Sequence, residues 1–201
     1  MLRLALGTFA LAFALGCILG AFRGLLLIAL GLLSIAAGLL YSAGPHPIAG
    51  TPYGECTVFA LMGLLETWVS EVAAVGRLTP AAVYASLSVG FLVAAILTAN
   101  NLRDRVSDQE RGRRTLAILL GEERGMALLR AEVAAAVLLP PLATLAGLLP
   151  WPAALPLLLG PQAWRVGRDR ALPKLLPQVS RLHLLSGLLL TLGLGFAAAL
   201  R

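Results

Sequence analysis

Long apolar stretches separated by short polar ones dominate this 201-residue chain. Runs such as Gly24-Leu-Leu-Leu-Ile-Ala-Leu30 are continuously apolar rather than alternating. That pattern excludes a transmembrane β-barrel, whose strands alternate between lipid and lumen. A spanning helix needs roughly 20 apolar residues, and seven stretches approach that length: 2–20, 24–41, 55–75, 79–99, 125–148, 151–166 and 181–200. The sixth is short and holds Pro152, Pro156 and Pro161 just after Pro150, so its limits are the least sharply drawn. Pro140-Pro141 should kink the fifth, because proline removes a backbone donor inside a helix. Gly16, Gly20 and Gly24 recur every four residues and predict a face suited to close helix packing. The expected fold is all-α: a single polytopic transmembrane bundle over residues 1–201.

Composition supports this reading. Hydrophobic residues make up 59% of the chain and charged residues 13%, whereas soluble domains average about 25% charged. The chain cannot cover its own surface, and lipid must do so. Its net charge of +6 could suggest nucleic acid, but the positions of the basic residues argue against that partner. If residues 100–124 lie on one side, that side also receives Arg3, Arg165, Arg168, Arg170, Lys174 and Arg181. Twelve of the sixteen basic residues then fall together, leaving Arg23, Arg77 and Arg201 opposite and Arg130 within a span. By the positive-inside rule the crowded side is cytoplasmic, which predicts a multi-pass protein of the inner (cytoplasmic) membrane. Cys17 and Cys56 have no metal-ligand spacing and imply no disulfide framework. The apolar N-terminal stretch continues to Gly20 without a small-residue cleavage site, as expected of a retained span rather than a signal peptide.

Candidate chemistry concentrates in Asn100-Asn-Leu-Arg-Asp-Arg-Val-Ser-Asp-Gln-Glu-Arg-Gly-Arg-Arg-Thr115. At about 100° per residue, Asn100, Asp104, Asp108 and Asn101 fall at roughly 0°, 40°, 80° and 100°, if the fourth helix continues beyond the membrane surface. Carboxylates four residues apart repel and are costly near lipid. A divalent cation relieves both problems, and magnesium takes one or two carboxylates together with substrate phosphates. The surrounding arginines suit a phosphate-bearing guest. Two readings stay open on residue types alone: a metal and phosphate site, or a positive-inside loop with solvated acids.

The same stretch resembles the second aspartate-rich motif of the UbiA-type membrane prenyltransferases. It is closest to the 1,4-dihydroxy-2-naphthoate polyprenyltransferases of menaquinone synthesis, with their pattern N-N-x-R-D-x-x-x-D-x-x-x-G-K-R-T-L-A. Asn100, Asn101, Arg103, Asp104, Asp108, Gly112, Arg114, Thr115, Leu116 and Ala117 match, and Arg113 replaces the lysine. Tyr41-Ser-Ala-Gly-Pro-His-Pro47, followed by Gly54-Glu55, resembles that family's Y-T-x-G-P-x-P loop. Ser180-Arg-Leu-His-Leu-Leu-Ser-Gly-Leu-Leu-Leu190 is similar to its last helix. The seven spans then correspond to helices three to nine of a nine-helix fold. The family's earlier N-D-x-x-D motif has no counterpart here, which leads us to expect an N-terminally incomplete domain.

The resemblance implies Mg²⁺-dependent transfer of a polyprenyl group from polyprenyl diphosphate to an aromatic acceptor such as 1,4-dihydroxy-2-naphthoate. It assigns Asp104 and Asp108 as catalytic metal-holding carboxylates, with Asn101 as a supporting ligand. Tyr41, His46, Asn100, Arg103, Arg113 and Arg114 become substrate-binding residues. The alternatives are another aromatic acceptor, a catalytically impaired fragment, or a small-solute transporter. The last is disfavoured because transport sites lie near mid-membrane and this cluster lies at helix ends. Among other polar residues, Glu66 and Glu71 should face a bundle interior or an aqueous cavity. Glu132 should make a local contact with Arg130. Trp151 and Trp164 fit membrane anchors, and Trp68 fits aromatic packing or a prenyl tunnel.

Overall fold

The computed structural model describes residues 2–44 and 47–200, which are helical throughout apart from short connections and contain no strand. Helices α1 (Leu2–Arg23) and α2 (Leu25–Ser42) form a hairpin. A 3₁₀ turn at Ile48–Gly50 leads into α3 (Gly54–Val75). Then follow α4 (Pro80–Glu110) and α5 (Leu116–Leu145). A 3₁₀ stretch (Trp151–Leu159) runs directly into α6 (Gly160–Arg168), and α7 (Leu172–Ala199) ends the described chain. Among the described residues, six helices are long and apolar enough to cross a membrane: all but α6.

The expected span 151–166 is not among the six: it is a 3₁₀ stretch followed by a nine-residue α-helix. Its prolines remove the donors that a continuous α-helix needs. It packs tightly on α7, where a Cβ at Gly193 would collide with the Pro152 carbonyl.

The core lies between α4, α5 and α7, around Leu92, Leu102, Met126, Leu129, Leu175 and Leu182. Helix α4 begins with Pro80 in its first turn and Thr79 as cap, whose hydroxyl accepts from the Ala82 N–H at 3.3 Å. Helix α3 widens to a π-helix over Phe59–Leu65. Within that segment Gly63 lies against Gly90 of α4 so closely that a Cβ would meet its backbone.

Two expectations about glycine and proline are corrected. Helix α5 keeps helical dihedrals through Pro140-Pro141, and its break is at Gly121 (φ 72°, ψ 176°). The donor missing at Pro140 frees the Ala136 carbonyl, and the Ser88 hydroxyl of α4 fills it at 2.6 Å. Nor do Gly16, Gly20 and Gly24 form one packing face. Gly20 accommodates Ile28, Gly24 makes the hairpin turn at φ 92°, and nothing approaches Gly16.

At 1.5 Å per residue, the 31 residues of α4 extend about 45 Å, well beyond a hydrocarbon core of about 30 Å. It therefore projects roughly ten residues past the apolar layer. For α4 these are the residues from about Asn100 onward, which carry the candidate chemistry.

Candidate active site

The sequence-derived face on α4 is divided by the structure. Asn101 and Asp108, about 20° apart on the helical wheel, are buried with 2% and 1% exposure. Asn100 and Asp104 lie on the more open side, joined by Arg103. Arg103 Nε donates to Asp104 Oδ1 at 2.7 Å, while its Nη2 donates to Asp104 Oδ2 at 2.7 Å and to Asn100 Oδ1 at 2.8 Å. The two carboxylates thus have separate guanidinium partners, and two faces of α4 converge on its end.

The turn after α4 is pinned to the loop before α3. Gly112, with φ of 76°, reverses the chain, a conformation that favours glycine. Arg113 Nη1 donates to both Asp108 oxygens at 2.9 and 3.0 Å, and its Nη2 donates to the Ala49 carbonyl at 2.7 Å. The Arg114 N–H donates to the Gly50 carbonyl at 2.9 Å, leaving the exposed Arg114 side chain facing solvent. The arginine that replaces the family's lysine thus bridges a buried carboxylate and a neighbouring loop. A guanidinium fork can do this and a lysine ammonium is less suited to it.

Below this clamp lie two buried carboxylates. Glu55, 3% exposed, accepts at Oε1 from Asn101 Nδ2 at 2.9 Å, and its Oε2 has no protein partner. Glu132 accepts from the Thr98 hydroxyl at 3.1 Å, also with a free Oε2. Glu132 is close enough to Glu55 to feel its charge. This corrects the expected Glu132–Arg130 contact, since Arg130 Nε instead donates to the Gly167 carbonyl at 2.7 Å. Tyr41, half-buried at the end of α2, lies within electrostatic reach of both Glu55 and Arg113.

The structure therefore brings Tyr41, Asn101, Asp108 and Arg113 into one region around Glu55, with Asn100, Arg103 and Asp104 beside it. His46 lies outside the described residues. Among the described residues, no group of three His, Cys, Asp or Glu side chains is gathered as a ready metal cluster. The carboxylates and amides of this region nonetheless offer oxygen atoms, one of them the unpartnered Glu55 Oε2. Such a set suits a hard divalent cation that completes its shell with phosphate oxygens and water.

Glu55 is the residue that sequence reasoning passed over as a site member. It stood next to the matched loop, but its partner Asn101 is 46 residues away, and no spacing rule connects them. Of the remaining residues, Glu71 accepts from the Thr79 hydroxyl at 2.6 Å, and Trp68 donates to Ser86 at 3.1 Å. Glu66 lines a cavity of about 390 Å³ between α2 and α3, along with Tyr41, Val58, Leu61 and Leu65. Trp151 and Trp164 are exposed.

The chain is similar to several known proteins. The chain is 37% identical over 136 residues to a 1,4-dihydroxy-2-naphthoate octaprenyltransferase of Bacillus subtilis (strain 168), covering 68% of this chain and 44% of that protein. It is 38% identical over 93 residues to the protein of that description in Escherichia coli (strain K12), covering 46% and 30% respectively. For Mycobacterium tuberculosis (strain ATCC 25618 / H37Rv) the identity is 32% over 124 residues, covering 62% and 41%. The matched region thus spans less than half the length of each of these relatives. Residues 2–174 match the UbiA prenyltransferase family; with that match covering most of a helical, multi-pass chain, the protein belongs to the UbiA prenyltransferase family.

Proposed function

We propose that this protein acts in the transfer of a polyprenyl group from polyprenyl diphosphate to an aromatic acceptor, 1,4-dihydroxy-2-naphthoate, in menaquinone synthesis. The observation that carries the reading is the pairing at the end of α4: Asp104 and Asp108, each held by an arginine, above a buried Asn101–Glu55 contact. Residues 1–201 act as one prenyltransferase-like unit. The excess of basic residues on this side favours a mouth that opens to the cytoplasm from the inner membrane.

Each side chain has a task in this reading. Arg103, Arg113 and Arg114 draw the diphosphate to the mouth, because a guanidinium retains donors beyond those used in its ion pair. Asn100 holds Arg103 in place through its 2.8 Å hydrogen bond. Asp104, Asp108 and Asn101 are the residues that would hold Mg²⁺. The ion would supply charge stabilisation to the departing diphosphate oxygen. Glu55 fixes the Asn101 amide through its Nδ2, which leaves the Asn101 oxygen available. Tyr41 sits where the mouth meets the apolar cavity of about 390 Å³, a suitable path for an isoprenoid tail. His46, outside the described residues, is assigned to the substrate by the resemblance of Tyr41–Pro47 to the family's motif.

The test is substitution at the native locus. Asp104→Ala should reduce prenylated naphthoquinone formation in isolated membranes by about 100-fold or more, the scale for losing a charge-stabilising group, and should abolish its magnesium dependence. Unchanged turnover with magnesium dependence intact overturns the reading. Purified residues 1–201 contain one aspartate-rich pair, so their turnover alone should be low. Vigorous Mg²⁺-dependent prenylation by that preparation would overturn this second expectation.

A further inference from the structure

On the outer side of α5 and α6 lies a second groove, of about 710 Å³, separate from the mouth. One end is ringed by Arg130, Arg168 and Arg170, and Val133 and Val137 form its wall. The two helices run antiparallel here, so depth can be measured on both. From Arg130 to Leu138 on α5, and from Arg168 to Gly160 on α6, the rise is about 12 Å in each case. The groove is cationic at the polar end and apolar for roughly 12 Å below it. That is the shape of an amphiphile site.

The cationic end is free to bind. Among the described residues no carboxylate forms an ion pair with Arg130, Arg168 or Arg170. Arg130 uses only Nε, on Gly167, which keeps its guanidinium at the rim. Arg168 lies 5.8 Å from the Trp164 ring centroid, and Trp164 is 67% exposed. The acid between Arg168 and Arg170, Asp169, is turned away: it accepts from the Ala171 N–H at 2.9 Å and from Gln178 Nε2 at 2.8 Å. Those donors hold its carboxyl below the usual range, so it stays ionised but directed at α7.

We propose that this groove binds a phospholipid with an acidic headgroup from the arginine-rich leaflet, the phosphate on Arg130, Arg168 and Arg170 and one acyl chain along Val133 and Val137. Charge complementarity commits the site to this occupant rather than to a zwitterionic lipid. A diphosphate-bearing isoprenoid is the poorer fit, because no carboxylate lines the groove to share a divalent cation. The inference is independent of prenyl transfer.

Trp164 supplies the reporter. The 201-residue chain in detergent micelles is titrated with phosphatidylglycerol brominated on its acyl chains, and separately with brominated phosphatidylcholine. A Trp164→Phe chain identifies the part of the quenching due to Trp164. Each surface arginine contributes about fivefold in affinity for an anionic lipid. Half-quenching of Trp164 should therefore need about 100-fold less phosphatidylglycerol than phosphatidylcholine. Arg168→Gln with Arg170→Gln, both exposed and outside the core, should reduce that preference to about fivefold, the share of Arg130. Equal quenching by the two lipids overturns the proposal, as does a preference unchanged in the double variant. Relief of quenching by unbrominated polyprenyl diphosphate at lower concentration than by unbrominated phosphatidylglycerol overturns it in favour of a substrate site.

Discussion

Helix α2 has the most apolar spanning window among the described residues and α1 one comparable to the rest, yet only 6% of each is buried, against 44% for α4 and 39% for α5. The hairpin is attached chiefly along α2 and by one contact of Arg23 with the Ala74 carbonyl at 2.8 Å. Helix α4 is far less uniformly apolar, carrying buried Ser86, Ser88, Thr98, Asn101 and Asp108, and it sits at the centre. The contrast shows what assembles a bundle in lipid. Apolar surface gives no preference for protein over acyl chains, so close backbone approach and hydrogen bonds between helices decide the packing. The hairpin has little of either, and α4 has both.

Breaking α4 should therefore cost most. Asp108→Ala leaves Arg113 without its buried partner and unpins the loop at Ala49. A loss of about 2 kcal/mol in unfolding free energy is expected, because the partly exposed Arg113 can be rehydrated, measured by denaturant titration in micelles, together with loss of any prenyl transfer. Gly63→Ala forces the α3 and α4 backbones apart and should cost about 1–3 kcal/mol, visible as a lower thermal midpoint. The matching change at Gly16 of α1, where nothing lies within 4 Å, should leave that midpoint unchanged or raise it slightly, because alanine is the better helix former. Ser88→Ala exposes the Ala136 carbonyl without a partner and should cost about 1 kcal/mol. Arg23→Ala, at the exposed tip of the hairpin, should cost less than about 0.5 kcal/mol. If Arg23→Ala proves as damaging as Gly63→Ala, the division between a packed centre and a loosely attached hairpin is wrong.

The same division sets what could be seen in the sequence. Helical spans were legible because lipid imposes a length of roughly 20 apolar residues on each of them. The limit of α4 was not, since it continues as a polar helix past the apolar layer, where hydropathy no longer reports the backbone. The segment 151–166 is helical but not one long α-helix, because proline spacing announces missing donors without saying which helix replaces them. At the site, the carboxylates and amides of α4 were visible as a motif. Their division into a buried pair, Asn101 and Asp108, and an open pair, Asn100 and Asp104, depends on what packs against each side. Glu55 and the Ala49 carbonyl come from another part of the chain, so local spacing could not reveal them. The Arg23 contact was equally hidden, lying 51 residues from its acceptor.

The Ser88 hydroxyl on the Ala136 carbonyl ties two positions into one heritable unit. A proline at 140 costs less while a donor arrives from the neighbouring helix, and a serine at 88 has that purpose only while the proline persists. Each residue thus restricts what selection accepts at the other, 48 positions away. Among descendants of this chain, reversion at either position should relax the constraint on its counterpart.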